Sequence, residues 1–123
     1  MSIVQNVGIV GSRHFTNYEF FKKHLDLKIE EIGMNDAKIK VVSGGARGVD
    51  TLAVRWAKNK GHQLKIFRPN WKKYGRAAGP IRNKQIVQES HVVIAFWDGV
   101  SKGTLSSIQL AKKFRKRLYI IKI

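Results

Sequence analysis

Apolar runs that stop at a glycine-bearing loop are the feature that most limits how this chain can fold. Three such runs occupy residues 3–10, 38–43 and 91–97, and each is followed by a loop that contains glycine and then by a segment with helical periodicity. Short β-branched runs are typical of buried strands, whereas apolar residues three or four positions apart indicate helices. The chain therefore repeats a unit of strand, glycine loop and helix.

The remaining segments continue this alternation, with further apolar runs at residues 63–67 and 118–123. The predicted helices have recognisable boundaries. The first starts with capping-box spacing at Thr16 and Glu19, and the second stops at Gly61. An irregular basic loop over residues 71–79 precedes the third helix, which starts at Pro80 and ends near Ser90, and the last helix covers residues 104–116.

Five strands that alternate with four helices predict an α/β fold with a parallel sheet covered on both faces. Right-handed crossovers favour a Rossmann-like, doubly wound sheet with strand order 3-2-1-4-5. No linker, repeat or low-complexity segment interrupts the sequence, so we expect a single domain over residues 1–123. Ligands of such sheets bind at the carboxyl ends of the strands where the order reverses, here between the first and fourth strands.

The charge of the chain is strongly asymmetric and predicts an anionic partner. The chain has 24 Lys and Arg against 8 Asp and Glu, a formal net charge of +16. Residues 51–123 contain 17 of the basic and only 2 of the acidic side chains, and residues 51–88 contain ten basic side chains and no acidic one. Such a surface attracts phosphates, although charge that serves only solubility is the alternative.

The residue types that are missing exclude other classes of protein. With no cysteine, the chain can form neither a disulfide framework nor a thiolate metal site. The spacing of His14, His24, His62 and His91 does not fit a metal site, and we expect no metal and no cofactor. No apolar run approaches the roughly 20 residues of a membrane span, and no leader-like segment is present, so we expect a cytoplasmic protein.

Three of the predicted loops combine glycine with a hydroxyl or a basic side chain. They are Gly11-Ser12-Arg13, Ser43-Gly44-Gly45-Ala46-Arg47-Gly48 and Ser101-Lys102-Gly103-Thr104. Glycine lets backbone N–H groups approach an oxyanion, and the N-terminus of the following helix adds donors and partial positive charge. We therefore predict phosphate binding at this edge, although such glycines can also serve only to make turns. The sequence contains neither GxGxxG nor GxxxxGK[ST], which disfavours a standard dinucleotide site and a P-loop.

Four motifs, taken in order, resemble a known family. GSRHF at 11–15, SGGARGVD at 43–50, Trp71 with YGRAAGPIRN at 74–83, and AFWDGVSKGT at 95–104 look like the small YspA-type members of the SLOG superfamily. That superfamily includes the lonely guy phosphoribohydrolases and the DNA-processing protein that loads recombinase on single strands. The resemblance implies a Rossmann-like domain that binds nucleotides or their derivatives, often as a homo-oligomer.

The resemblance also separates binding residues from catalytic ones. Lonely guy enzymes cleave a base from a ribose monophosphate with the glutamate of a GGxGTxxE loop, and Ser107 stands at that position here. Ser106 stands where many YspA-type sequences carry histidine. Arg82, by contrast, matches the phosphate- and base-side arginine of those enzymes, and Gly44-Gly45 matches their first glycine loop. This pattern favours a binding protein over a hydrolase.

Two aspartates and two tryptophans complete the candidates beside the predicted crevice. Asp50 is placed to accept loop N–H bonds near a helix start. Asp98 has three possible roles: it holds ribose hydroxyls, it acts as the acid if the protein is an enzyme, or it only shapes the Asp98-Gly99 turn. Trp71 lies among basic residues and is the better candidate to stack on a base, while Trp97 is expected in the core.

These observations predict a protein that senses or sequesters a phosphorylated nucleoside derivative, such as an ADP-ribose-like or cyclic nucleotide signal. Phosphate would be held by the loop residues and Arg82, and ribose by Asp98. Two alternatives remain open: a single-stranded nucleic-acid binding protein, and a nucleotide N-glycoside hydrolase that uses Asp98. The basic residues at 112–117 fit either a solvated surface or a nucleic-acid patch.

Overall fold

A computed structural model describes residues 4–34 and 38–123 of the chain. The described residues form five strands, five α-helices and one short 3₁₀ helix, in the order β1 (Gln5–Gly11), α1 (Tyr18–Glu31), β2 (Ile39–Ser43), α2 (Val49–Lys60), β3 (Gln63–Ile66), α3 (Trp71–Tyr74), the 3₁₀ helix (Gly75–Ala77), α4 (Ala78–Glu89), β4 (Val92–Trp97), α5 (Lys102–Lys113) and β5 (Arg117–Lys122). Every predicted strand is present with its ends shifted by a residue or two, and Ile3 lies outside the described residues.

The five strands form one parallel sheet with the order β3-β2-β1-β4-β5. Val7 in the central strand β1 is paired with Val41 of β2 on one side and with Val92 of β4 on the other. The predicted order is therefore confirmed. Because the chain reverses direction across the sheet between β1 and β4, the loops that follow these two strands lie side by side at its carboxyl edge.

Alternating strand residues face two separate hydrophobic cores. Within the described residues, one core joins α1 and α2 to strand residues such as Ile94 and Phe96, and the other joins α4 and α5 to Val93 and Ala95. Both faces are covered because successive side chains of a strand point in opposite directions and nearly every residue of β4 is apolar. The doubly wound arrangement is therefore confirmed.

The first helix begins differently from the prediction. Its N-cap is Asn17, whose side-chain Oδ1 accepts a hydrogen bond of 3.0 Å from the backbone N–H of Phe20. The predicted capping box at Thr16 and Glu19 is wrong, because asparagine caps a helix as well as threonine does and stands one residue later.

The segment predicted as an irregular basic loop is helical instead. Residues 71–79 form α3, the 3₁₀ helix and the start of α4, so there are five α-helices among the described residues rather than four. Asn70 caps α3 by accepting a hydrogen bond from the N–H of Lys73, a signal that the basic composition of the segment obscured. Pro80 lies at the third position of α4, where its missing N–H costs little because first-turn N–H groups have no intrahelical partner.

The last helix lies earlier than predicted. It begins at Lys102 because Ser101 is its N-cap, and it ends before Arg115, whose positive φ of 55° is incompatible with a continuing helix. None of the helices within residues 4–34 and 38–123 has both the length and the apolar character needed to cross a bilayer.

Candidate functional site

A cavity of about 570 Å³ lies at the carboxyl edge of the sheet, where the strand order reverses. It lies between the loops after β1 and β4 and the first turns of α4 and α5. We call it the main cavity and define it by its lining residues: Val10, Gly11, Ser12, Arg13, His14, Ala46, Asp50, Trp71, Arg76, Gly79, Pro80, Arg82, Asn83, Ile86, Asp98, Val100, Ser101, Lys102, Gly103, Thr104, Ser106 and Ser107.

A second cavity of about 360 Å³ adjoins the first beside the loop after β2. We call it the side cavity; it is lined by Arg13, Gly44, Gly45, Ala46, Arg47, Arg68, Pro69, Trp71 and Arg82. Arg13, Ala46, Trp71 and Arg82 line both cavities. The two cavities are therefore neighbouring parts of one cleft.

The loops after β1 and β2 are joined to each other by backbone contacts. The N–H of Val49 donates a 3.0 Å hydrogen bond to the carbonyl oxygen of Ser12. Gly48 adopts φ 75° and ψ −131°, and a Cβ there would lie 2.5 Å from the carbonyl carbon and oxygen of Arg13. Only glycine fits this position, so Gly48 holds the second loop against the first.

Arg82 connects α4 to the loop after β2. Its side chain is only 7% exposed, and its guanidinium donates one hydrogen bond to the carbonyl oxygen of Gly44 and one to Oδ1 of Asn83, both at 3.0 Å. A Cβ on Gly44 would lie 2.5 Å from Nη1 of Arg82, so the guanidinium packs directly on this glycine. Burial lowers the pKa of Arg82 from its ordinary value, and the nearby Asp50 opposes that shift.

Asp50 is the buried acidic partner at this point of the cleft. It is 8% exposed, and its Oδ2 accepts a hydrogen bond of 3.1 Å from the N–H of Ala46. Burial raises the pKa of this carboxyl, while the N–H bonds from Ala46 and Gly44 and the charges of Arg82 and Arg13 oppose the rise. The predicted loop-binding role of Asp50 is therefore confirmed by its contacts.

Arg68 follows β3 and covers the other glycine of the second loop. A Cβ on Gly45 would lie 3.0 Å from Nη1 of Arg68 and 2.8 Å from a methyl group of Ile66, and Gly45 has a positive φ of 68°. Gly44 and Gly45 thus each lie beneath one guanidinium, that of Arg82 and that of Arg68 respectively.

Asp98 shapes the loop between β4 and α5. Its Oδ1 accepts hydrogen bonds from the N–H groups of Val100 and Ser101, at 2.9 and 2.8 Å. These two bonds are the main cause of a lowered pKa, with a smaller contribution from the hydroxyl of Ser12. The side chain of Trp97 lies against the second core and donates to the carbonyl oxygen of Ser101 at 3.1 Å, which confirms its structural role.

The first turn of α5 opens onto the main cavity. The hydroxyl of Ser101 caps the helix by accepting from the N–H of Thr104 at 3.5 Å, and the hydroxyls of these two residues share a 3.0 Å hydrogen bond. No heavy atom lies within 4 Å of where a Cβ on Gly103 would stand. This glycine therefore leaves the helix N-terminus accessible to a ligand in the main cavity.

Trp71 lies at the junction of the two cavities. It is the first residue of α3 and is 53% exposed, and its ring end lies 3.6 Å from the position of a Cβ on Gly79. A half-exposed indole that lines both cavities provides a flat apolar surface for a planar group.

The charge of the cleft is mainly positive. Among the described residues, the basic side chains that line the two cavities are Arg13, Arg47, Arg68, Arg76, Arg82 and Lys102. The acidic ones are Asp50 and Asp98, whose carboxylates already accept backbone N–H bonds. The cleft is therefore suited to an anion.

The sequence itself identifies the family. The model of the YspA, cpYpsA-related SLOG family matches residues 6–74, more than half of the chain, including the loops after β1 and β2. The chain belongs to this SLOG family. A curated relative, the gene 61 protein of Mycobacterium phage D29, is 34% identical in an alignment 94 residues long, which covers 72% of this chain and 75% of the phage protein.

Solved structures share the fold of this SLOG domain. DNA processing protein A (DprA) of Streptococcus pneumoniae has a TM-score of 0.76 and 20% identity, over 98% of this chain and 51% of that structure. Helicobacter pylori DprA, described for its single-stranded DNA binding mode, has a TM-score of 0.70 and 24% identity over 96% and 65%. The molybdenum cofactor carrier protein of Chlamydomonas reinhardtii has a TM-score of 0.59 and 17% identity over 96% and 76%. The chain thus spans only about half of the pneumococcal protein in that structure.

Nearly all the residues predicted to bind a ligand line this cleft. Gly11, Ser12, Arg13, Trp71, Arg82, Asp98, Gly103 and Thr104 line the main cavity, and Gly44, Gly45 and Arg47 line the side cavity. Ser43 lines neither cavity; it is fully buried, and its hydroxyl accepts from the N–H of Gly45 at 3.3 Å. Ser43 therefore shapes the loop rather than facing a ligand in this structure.

Several cleft residues were missed by the sequence analysis. Arg68, Arg76 and Asn83 line the cleft, yet each lies outside the three glycine loops. The signal was available in part, since Arg76 and Asn83 belong to the YGRAAGPIRN motif of the family resemblance. The basic residues at 112–117 lie at the other end of the sheet, from the end of α5 to the start of β5.

Proposed function

We propose that this SLOG protein binds a phosphorylated nucleoside derivative in the cleft, to sense or sequester it. The observation that carries the proposal is the buried guanidinium of Arg82, which lines both cavities. Charge-assisted hydrogen bonds from arginine to phosphate are among the strongest polar contacts in proteins. A main cavity of about 570 Å³ is also within the usual size range of small-molecule sites.

The other groups of the cleft suit the remaining parts of a nucleotide. The indole of Trp71 offers a stacking surface for a base, and the carboxylate of Asp98 lines the main cavity as an acceptor for ribose hydroxyls. The first turn of α5, left open at Gly103, adds N–H donors for an anion.

Binding without turnover fits these residues better than hydrolysis does. Asp98 has a lowered pKa, so its carboxyl is ionised near neutral pH and has no proton to donate. Asp50 is buried and engaged with the loop backbone and Arg82. Ser107, which stands where related hydrolases have glutamate, has a hydroxyl that neither carries charge nor releases a proton near neutral pH.

Native mass spectrometry of protein purified without denaturation tests this proposal first. A bound mass in the nucleotide range is expected, and the same spectrum reports whether the chain forms the homo-oligomer that we also propose from the family resemblance. Calorimetric titration with adenosine monophosphate, ADP-ribose and cyclic nucleotides then identifies the class of ligand. If millimolar concentrations of every member of this panel fail to bind, the proposal is wrong.

Single-stranded nucleic-acid binding is a second candidate, and the similarity to DprA structures favours it. One of those structures concerns the single-stranded DNA binding mode of the Helicobacter pylori protein. A net charge of +16 makes weak oligonucleotide binding at low salt expected in either case. Fluorescence anisotropy with single- and double-stranded oligonucleotides separates the two. Tight oligonucleotide binding near physiological salt with a preference for single strands would favour this candidate. A steep loss of oligonucleotide affinity with rising salt would instead support the proposal of a small nucleotide ligand.

A further inference from the structure

We infer that the ligand carries at least two phosphates, with its nucleoside in the main cavity and a second phosphate in the side cavity. This inference rests on the proposed function and assigns its ligand to the class of nucleoside diphosphates and their derivatives. A nucleoside monophosphate would occupy only part of the cleft.

The two cavities differ in the chemistry of their walls. The side cavity is lined by Arg13, Arg47, Arg68 and Arg82, and no carboxylate from residues 4–34 or 38–123 lines it. Both cleft aspartates line the main cavity, together with the hydroxyl residues Ser12, Ser101, Thr104, Ser106 and Ser107. Four arginines that line one small cavity suit a multiply charged phosphate, whereas hydroxyls and carboxylates suit ribose and base.

Two backbone donors of the second glycine loop are already used within the protein. The N–H of Ala46 donates to the carboxylate of Asp50 at 3.1 Å, and the N–H of Gly45 donates to Oγ of Ser43 at 3.3 Å. We therefore assign phosphate recognition in the side cavity mainly to its four arginines. The two glycines serve that arrangement by allowing Arg82 and Arg68 to pack on the loop.

The position of the shared residues makes one continuous ligand possible. Arg13, Trp71 and Arg82 line both cavities, so a phosphate bound between them would contact arginine from each side. A second phosphate joined to the first would then lie near Arg47 and Arg68. Both of these arginines are exposed residues, so they can be substituted without opening a core.

The test compares affinity for ADP with affinity for AMP by calorimetry at one fixed salt concentration. The wild-type protein is expected to prefer ADP by about tenfold or more, the factor that a new charge-assisted hydrogen bond provides. In the variant that combines Arg47→Gln with Arg68→Gln, this preference is expected to fall close to one. A control that combines Lys58→Gln with Lys112→Gln removes the same charge from exposed positions at the opposite end of the sheet, and it should keep the preference.

The outcomes separate this inference from the proposal on which it depends. Equal affinity for AMP and ADP, or a preference for ADP that survives in the arginine variant, would overturn the two-phosphate assignment while nucleotide binding stands. Loss of the preference in the lysine control as well would also overturn it, because the effect would then follow from net charge. If neither nucleotide nor ADP-ribose binds, both proposals fail. Circular dichroism and thermal melting of each variant establish that the fold is intact.

Discussion

The two ends of the sheet carry positive charge in different ways. At the carboxyl edge, Arg82 is buried and its guanidinium is fixed by the carbonyl of Gly44 and the side chain of Asn83. At the amino edge, Lys112, Lys113 and Arg115 are exposed around the end of α5. Exposed charges attract anions at long range and are screened by salt, whereas a fixed, partly dehydrated arginine can also select the geometry of its ligand. Net charge alone therefore does not locate a binding site.

The two ends of helix α2 show the same contrast for the backbone. Gly48 before the helix and Gly61 after it have nearly equal φ values, 75° and 73°. A Cβ at Gly61 would meet no atom within 4 Å, whereas a Cβ at Gly48 would collide with the backbone of the loop after β1. The glycine at the amino edge only ends a helix, but the glycine at the carboxyl edge also holds the cleft together.

Gly48→Ala is expected to have the largest effect on the protein. The substitution combines a backbone conformation that only glycine adopts easily with a steric clash, so we expect a loss of about 3 kcal/mol or more in the free energy of unfolding. Gly61→Ala should cost only about 1 kcal/mol, because it adds the strain of a left-handed conformation without a clash. Urea denaturation of both variants measures the difference. Equal losses would show that the loop contact at Gly48 adds nothing.

Substitution of Arg82 is expected to have the next largest effect, on ligand affinity. Arg82→Ala should weaken binding of a nucleotide phosphate by roughly 1.5 to 3 kcal/mol, the range for a hydrogen bond to a charged group. Lys112→Ala removes the same charge at the amino edge and should leave calorimetric affinity at moderate salt nearly unchanged.

A second variant covers the case in which Arg82→Ala does not fold. Removing the guanidinium takes away the nearer of the two arginine charges that act on the buried Asp50, which is destabilising. Arg82→Lys keeps the charge but cannot reproduce the two directed bonds to Gly44 and Asn83. Unchanged affinity in either folded variant would place Arg82 outside the site.

The sequence was sufficient to predict the fold because the pattern of apolar runs is local and strong. The buried run of β4 and the helical stripe of α2 each determine their own element, and right-handed crossovers leave few possible orders for five parallel strands. The position of the cleft followed from that order, since the loops after β1 and β4 must meet where the order reverses.

The detailed arrangement of the cleft depends on contacts between distant residues and was not predictable. Arg82 reaches Gly44 across 38 positions of sequence, and Arg68 lies over Gly45 only because β3 pairs with β2. The one-turn helix α3 was missed because four residues give too little periodicity to recognise. Local patterns therefore predicted which loops form the cleft, but not which side chains occupy them.

The two cleft aspartates should respond to pH in opposite directions. The pKa of Asp50 is raised by burial, so the stability that its protonated form contributes is present below the ordinary pKa of 3.8 and is lost as pH rises through the higher folded value. Asp98 has a lowered pKa, so its contribution is present above 3.8 and is lost as pH falls through the lower folded value.

Asp50→Asn and Asp98→Asn turn this contrast into a measurement of unfolding free energy from about pH 3 to 7. As pH rises, the unfolding free energy of the wild type should fall relative to that of Asp50→Asn. Over the same range it should increase relative to that of Asp98→Asn. Urea titrations at several pH values provide both curves. If both differences in unfolding free energy changed with pH in the same direction, the opposite pKa shifts of these two carboxyls would be contradicted.

The last prediction is that no reaction occurs: purified protein should not release free base from nucleoside monophosphates at an enzymatic rate. Departure of a purine requires a proton on its nitrogen and stabilisation of a ribosyl cation, and general acid–base assistance is commonly worth about 10² to 10⁴ in rate. Asp98 lines the main cavity and is the carboxyl best placed to act, but its loop bonds favour the charged form, which cannot donate a proton. Chromatography of a nucleotide panel incubated with the protein detects any free base. Release that disappears in Asp98→Asn would make the protein an enzyme, because contamination by another hydrolase would persist in that variant.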